Sequence, residues 1–318
     1  MLERPVLDFI VIGAQKSGTT SLFQYLRHHP GVFIPPEKEA PFFDGDAPID
    51  GARFDRYLER YFPPSRNGHL WGTVSPQYMG DRRSAARIRM MLPDVKLIAI
   101  LRHPIDRAVS QFRMRVRRGL EPRPIEVAFE QLLQPRNAEL ARGQPATVAG
   151  ASDCYLVWSE YGRILEAYRA LYPKNQLLVL FFDDLQSRPG HVLGEIVSYL
   201  GLTPGYVPPN LDVRYVVSGS RQMPRRFDRL KGFALSRIGR FAPSLALSYR
   251  MRSRNWNETE YADPRGTSGI QPSAELRRKL EEYFRPDIQR LEAIIERPVP
   301  WHGLGAASKP VGSPAENP

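Results

Sequence analysis

Residues 9–20 read Phe-Ile-Val-Ile-Gly-Ala-Gln-Lys-Ser-Gly-Thr-Thr. A short apolar run, Phe9 to Ile12, stops at Gly13, small and polar residues follow, and Ser21-Leu22-Phe23-Gln24-Tyr25-Leu26 then has the pattern of a helix. A strand, a loop and a helix start in that order form a phosphate site in an α/β protein. The helix N-terminus offers unpaired N–H groups and positive dipole potential to an anion. Lys16 adds a full charge, and Gly13 and Gly18 let the backbone come close to a ligand. The segment therefore predicts an anionic, phosphate-like ligand at residues 13–21.

The spacing narrows the ligand. A nucleotide-triphosphate loop, G-x-x-x-x-G-K-[ST], has its lysine directly after the last glycine. Here Lys16 precedes Gly18 by two residues, and Thr19 stands where that lysine would be. The G-x-G-x-x-G of a dinucleotide loop is absent as well. A second candidate anion site is Leu101-Arg102-His103-Pro104, where Arg102 ends a predicted strand and Pro104 suits the first turn of a helix. Ser110 lies about two helical turns further on. A guanidinium and a hydroxyl so placed can share one phosphate. Two anion sites after two parallel strands suit a nucleotide phosphorylated at both ends of its ribose.

The apolar runs at 6–13, 95–101 and 176–182 predict buried strands. Helical patterns cover 17–28, 52–61, 81–92, 105–118, 124–133, 155–171, 186–200 and 273–296. This alternation predicts a single α/β domain over residues 1–302, with a central parallel sheet, a P-loop-like phosphate loop and helices on both faces. Residues 303–318 read as a disordered tail. Residues 214–254 carry eleven basic side chains against Asp228 alone, and Phe227, Leu230, Ala234, Ile238 and Phe241 share one helical face. This segment is expected to be a solvated helix on the domain, a peripheral helix on an anionic membrane, or a flap over the site.

The net charge of +11 favours anionic ligands. Cys154 is the only cysteine, no apolar run is long enough to cross a bilayer, and the N-terminus lacks a secretory pattern. These features together lead to the expectation of a cytoplasmic protein. No His/Cys cluster has metal-ligand spacing, and Asp44, Asp46 and Asp50 suit a solvated turn, so no metal is expected.

The loop at 13–21 and the Arg102–Ser110 pair resemble the 5′-phosphosulfate and 3′-phosphate motifs of sulfotransferases that use 3′-phosphoadenosine 5′-phosphosulfate (PAPS). The likeness is to the heparan-sulfate type and its bacterial relatives. It extends to Lys38-Glu39-Ala40-Pro41-Phe42-Phe43, Ser75-Pro76-Gln77-Tyr78, Ser159-Glu160-Tyr161, Phe182-Asp183-Asp184-Leu185, Arg265-Gly266 and Val299-Pro300-Trp301-His302. The resemblance implies a sulfotransferase that moves a sulfonate from PAPS to an acceptor hydroxyl on a carbohydrate or glycolipid. Lys16 and Glu39 would be catalytic, with Glu39 as the base. Lys16, Ser17, Gly18, Thr19, Thr20, Ser21, Arg102, Ser110, Tyr161, Arg265, Gly266 and Thr267 would hold the cofactor. Glu37 and His69 are the second candidates for the base. The chain departs from the family at Thr73-Val74, where a lysine is usual, at Pro41 and at Thr267. An acceptor of the lipid-like or polyketide alcohol type and an ATP-dependent small-molecule kinase are the alternatives. Nucleic acid is not an expected partner.

Overall fold

The computed structural model describes residues 6–144, 153–211, 213, 215 and 266–304. Its centre is β1 (Phe9–Gly13), paired in parallel with β3 (Leu70–Val74) on one side and β4 (Lys96–Leu101) on the other. β2 (Val32–Phe33) and β5 (Leu177–Phe181) form the edges, giving the order β2-β3-β1-β4-β5, all parallel. The chain leaves β1 toward β2 and β3, then crosses to β4 and β5. The crevice at the carboxyl ends of β1 and β4 is therefore a topological switch point, where ligands bind in such sheets.

Alternation along the strands supplies two cores. Ile10, Ile12, Leu97, Ala99, Leu101, Val179 and Phe181 face one core. It is closed by α2 (Gly51–Tyr61), α3 (Ser84–Met91), α4 (Pro104–Arg117), α5 (Ile125–Leu133), α7 (Tyr161–Arg169) and α10 (Ala274–Ile295). Phe9, Val11, Ile98, Ile100 and Leu180 face the other core, under α1 (Thr19–Leu26), α8 (Phe182–Ser187) and α9 (Pro189–Leu200). The expected parallel sheet with helices on both faces is present. No described helix is long and apolar enough to cross a membrane.

Sequence patterning missed β2 and β3. In β3 the apolar run is diluted by Gly72 and Thr73, but Gly72 has a packing reason. A Cβ there would lie 2.1 Å from the Phe9 ring. α6 (Pro135–Gly143), opened by proline at its first turn, was also unanticipated. The single helix expected over 155–171 is broken at Glu160 into a 3₁₀ turn, Val157–Ser159, and α7. Tertiary bonds make that break: the Ser159 hydroxyl donates to Pro104 O at 2.9 Å, while Arg142, Arg163 and Tyr283 all bond the Glu160 carboxylate. The helix expected over 186–200 instead begins at Pro189, after α8 ends at Ser187. The packed chain continues to Leu304, which is buried.

α7 lies directly on α10. The Asp287 carboxylate accepts from Gly162 N–H and Arg163 N–H, both at 2.8 Å, and so caps α7 from the neighbouring helix. A Cβ on Gly162 would sit 2.2 Å from Asp287 O, a backbone atom with no flexible end to move aside. Gly162→Ala is therefore expected to destabilise the protein by about 1–3 kcal/mol through overpacking. Urea denaturation measures this, and an unchanged midpoint would contradict the packing described.

Candidate active site at the carboxyl ends of β1 and β4

The loop after β1 is fixed at both ends. Ala14 N–H donates to Ile100 O at 2.8 Å, and Ser17 N–H to Ala14 O at 3.2 Å. Gly18 takes φ +84° to start α1, and a Cβ there would approach the Phe182 ring to 2.7 Å. No side chain caps α1, so its first-turn N–H groups face the loop. Ser17 Oγ is sealed from solvent beside the Tyr161 phenol. A buried hydroxyl next to uncapped helix N–H groups is a cradle for an acceptor-rich anion. The donors present therefore fit a nucleotide phosphate. Thr19 is buried and Thr20 half-buried in the same turn, whereas the Ser21 hydroxyl donates to Tyr215 O at 3.5 Å.

Lys16, at φ +71°, points its half-buried side chain into a field of like charge. Burial, followed by the charges of Arg117, Arg118, Arg102 and Lys38, lowers its pKa from 10.5 to about 7. The unliganded folded state thus binds fewer protons than the unfolded state between about pH 7 and 10.5, and Lys16 contributes a stability that rises with pH over that window. A bound anion reverses the shift. At pH 8, binding of a phosphorylated nucleotide is expected to take up a proton on Lys16, whereas at pH 6 it is not. Calorimetry in buffers of different ionisation enthalpy measures this, and no buffer dependence at pH 8 would contradict it.

Arg102 directly follows β4 and leans back toward the loop. Its Nη1 is 3.5 Å from Lys16 O, and its guanidinium stacks 5.0 Å from the Phe182 ring centroid. Tyr161 is fully buried, and its hydroxyl donates to Arg102 O at 2.9 Å, which holds that arginine's backbone. Burial pushes the Tyr161 phenol up to about 12, which keeps it a neutral donor. Ser110 lies half-buried on α4.

Sequence reasoning missed Arg107. It is completely buried and donates to Ser159 Oγ, to Gln111 Oε1 at 2.9 Å and to Tyr155 O. It thereby pins α4, and with it Arg102 and Ser110, to the 155–159 segment. Its presence in the Arg102–Ser110 motif was the only signal, and a charge there reads as solvent-exposed until the burial is known.

Glu39 is bonded to the end of β3 through Glu39 N–H to Val74 O at 3.1 Å, one strand away from the loop. Its backbone is left-handed at φ +65°, and its side chain is half-exposed and pairs with Lys38 Nζ at 2.9 Å. Val74 places no cation in the crevice, whereas the Lys38 ammonium is close enough to act on Lys16. His69 is excluded as a base by its position. It precedes Leu70 at the amino end of β3, across the sheet from the loop, with Nδ1 against Arg66 O at 2.9 Å. Glu37 is half-buried two residues before Glu39.

Gly266, at φ +59°, opens a short turn, Thr267–Gly269, that packs on α4. Arg117 Nη1 donates to Thr267 Oγ1 at 2.9 Å, and Arg113 Nε to Ile270 O at 2.9 Å. Arg265 and most of the basic segment 214–254 lie outside the described residues.

A parallel α/β sheet with a glycine-containing loop after its central strand, and an arginine and a serine after the adjacent strand, places a ligand crevice at the switch point of the sheet. Residues 7–216 match the Sulfotransferase domain family, and the chain belongs to that family. Human heparan sulfate glucosamine 3-O-sulfotransferase 3B1 is 30% identical over 196 residues, which are 61% of this chain and 45% of that protein. Mouse bifunctional heparan sulfate N-deacetylase/N-sulfotransferase 4 is 29% identical over 205 residues, 62% of this chain and 22% of that protein. The chain thus spans less than half the length of either relative. A sulfotransferase from Alicyclobacillus acidocaldarius shares the fold, with a TM-score of 0.62 at 22% identity over 92% of this chain and 97% of that one.

Proposed function

We propose that this protein transfers a sulfonate group from PAPS to an acceptor hydroxyl on a carbohydrate or glycolipid. The observation that carries this reading is the convergence of two anion sites on adjacent strands. Lys16, Ser17 and the first turn of α1 follow β1, and Arg102 and Ser110 follow β4, with Arg102 reaching to the Lys16 carbonyl. A donor with a 5′-phosphosulfate and a 3′-phosphate uses both, and the sequence family and its heparan-sulfate relatives support that donor and a sugar acceptor.

PAPS supplies the activated sulfonate when bound. Glu39 would accept the proton of the acceptor hydroxyl that attacks the sulfonate. Lys16 and the N–H groups of residues 18–20 would hold the 5′-phosphate and the charge it takes on as leaving group. Arg102 and Ser110 would bind the 3′-phosphate, Tyr161 holds Arg102, and the turn at 266–269 would lie over the nucleotide. Residues 1–302 form the catalytic domain, and the expected location is cytoplasmic.

Arg102→Ala is expected to weaken binding of adenosine 3′,5′-bisphosphate by about 10- to 100-fold, the worth of one charge-assisted hydrogen bond. Unchanged affinity would misplace the 3′-phosphate site. The function itself is tested by incubation with radiolabelled PAPS and a heparan-type oligosaccharide or an extract of the source cells. Label on a sugar hydroxyl is expected. Label on a lipid-like alcohol would move the acceptor, and phosphate transfer from ATP with no sulfonate transfer would overturn the reading.

A further inference from the structure

Ser110, Arg113 and Arg117 lie along one side of α4. Arg117 is seven residues after Ser110, which places it within about 20° of the same face and roughly 10 Å along the axis. Helical side chains lean toward the N-terminus, so a long arginine at that position leans back toward Ser110. The Arg117 guanidinium is held in place, because Nη1 donates to the hydroxyl of fully buried Thr267 at 2.9 Å. Arg113 ties the same turn to α4 through Ile270 O. The charge of Arg117, with those of Arg118, Arg102 and Lys38, also acts on Lys16.

We propose that Arg117 is a specificity-determining cation of the nucleotide site, directed at the 3′-phosphate and set in place by the Thr267 hydroxyl. The inference rests on the donor reading above. Ser110 and Arg102 approach that phosphate from the start of α4, and Arg117 approaches it from the side of the covering turn. A nucleotide that carries the 3′-phosphate would then bind α4 and the 266–270 turn together, whereas one without it would leave Arg117 unused.

Binding of adenosine 3′,5′-bisphosphate and adenosine 5′-monophosphate is compared for the wild type, Arg117→Ala, Arg117→Lys and Thr267→Val, with thermal midpoints of the unliganded proteins. Arg117→Ala should lower bisphosphate affinity about 10- to 100-fold and leave monophosphate affinity within about twofold. Arg117→Lys should recover part of the loss, since it keeps the charge and not the fork. Thr267→Val should cost the bisphosphate about 3- to 10-fold, because the guanidinium keeps its charge and loses its anchor. Equal losses for both nucleotides would show that Arg117 only braces the turn, and would overturn the assignment, as would unchanged selectivity. A wild type that binds the two nucleotides alike would overturn the donor reading itself, and this assignment with it.

Discussion

Lys16→Ala is expected to lower kcat for sulfonate transfer by about 10²–10³-fold, the usual cost of removing one preorganised donor to developing charge. Lys16 stands in the loop just before α1, next to the buried Ser17 hydroxyl, where the 5′-phosphate would sit. Its function needs the ammonium form. The unliganded site holds the pKa near 7, and a bound nucleotide supplies the negative charge that restores the proton. The substitution removes a half-buried cation from among Arg117, Arg118, Arg102 and Lys38, so the unliganded fold should lose no stability. Lys16→Arg is not expected to rescue turnover, because a planar fork does not replace a compact ammonium in a closed loop. Steady-state transfer of radiolabelled sulfonate, with circular dichroism as the control for folding, measures the effect. A kcat within threefold of wild type would remove Lys16 from the chemistry.

The second large effect is expected at Glu39. Glu39→Gln keeps the side-chain length and the left-handed backbone at φ +65° but cannot take a proton, so kcat should fall by about 10²–10⁴-fold. Nucleotide affinity should stay within about twofold, because Glu39 is held against the end of β3 and not in either anion site. The lost pair with Lys38 is half-exposed and is worth about 0–1 kcal/mol, so the thermal midpoint should hardly move. Calorimetry for the nucleotide and single-turnover transfer for the chemistry separate the two quantities. Full turnover in Glu39→Gln would transfer the role of base to Glu37, since His69 lies at the amino end of β3, away from the loop.

The fold was legible where local chemistry and tertiary role agree. Phe9–Gly13, Lys96–Leu101 and Leu177–Phe181 are continuous apolar runs because helices bury both faces of each. Leu70–Val74 was hidden because Gly72 leaves room for the Phe9 ring, a need that only the neighbouring strand reveals. The break at Glu160 was hidden for the same reason, since its cause is a set of bonds from Arg142, Arg163 and Tyr283, distant in sequence or across a turn. The site followed the same rule. Lys16, Ser17, Arg102 and Ser110 stand in short motifs next to predicted strand ends, and the motif spacing carried the reading. Tyr161 was legible as a motif residue, but its action through the Arg102 carbonyl was not. Arg107 and Arg117 read as ordinary helical arginines, and only packing distinguishes the buried anchor from the one held by Thr267.

The crevice between β1 and β4 is expected to bind a nucleotide carrying both a 5′ and a 3′ anionic group. Isothermal titration of the wild-type protein with adenosine 3′,5′-bisphosphate, and separately with ATP and magnesium, tests it most directly. A dissociation constant in the micromolar range is expected for the bisphosphate, weakened in Lys16→Ala and in Arg102→Ala, with no comparable binding of magnesium–ATP. Preferential binding of magnesium–ATP, with indifference to the bisphosphate, would contradict it.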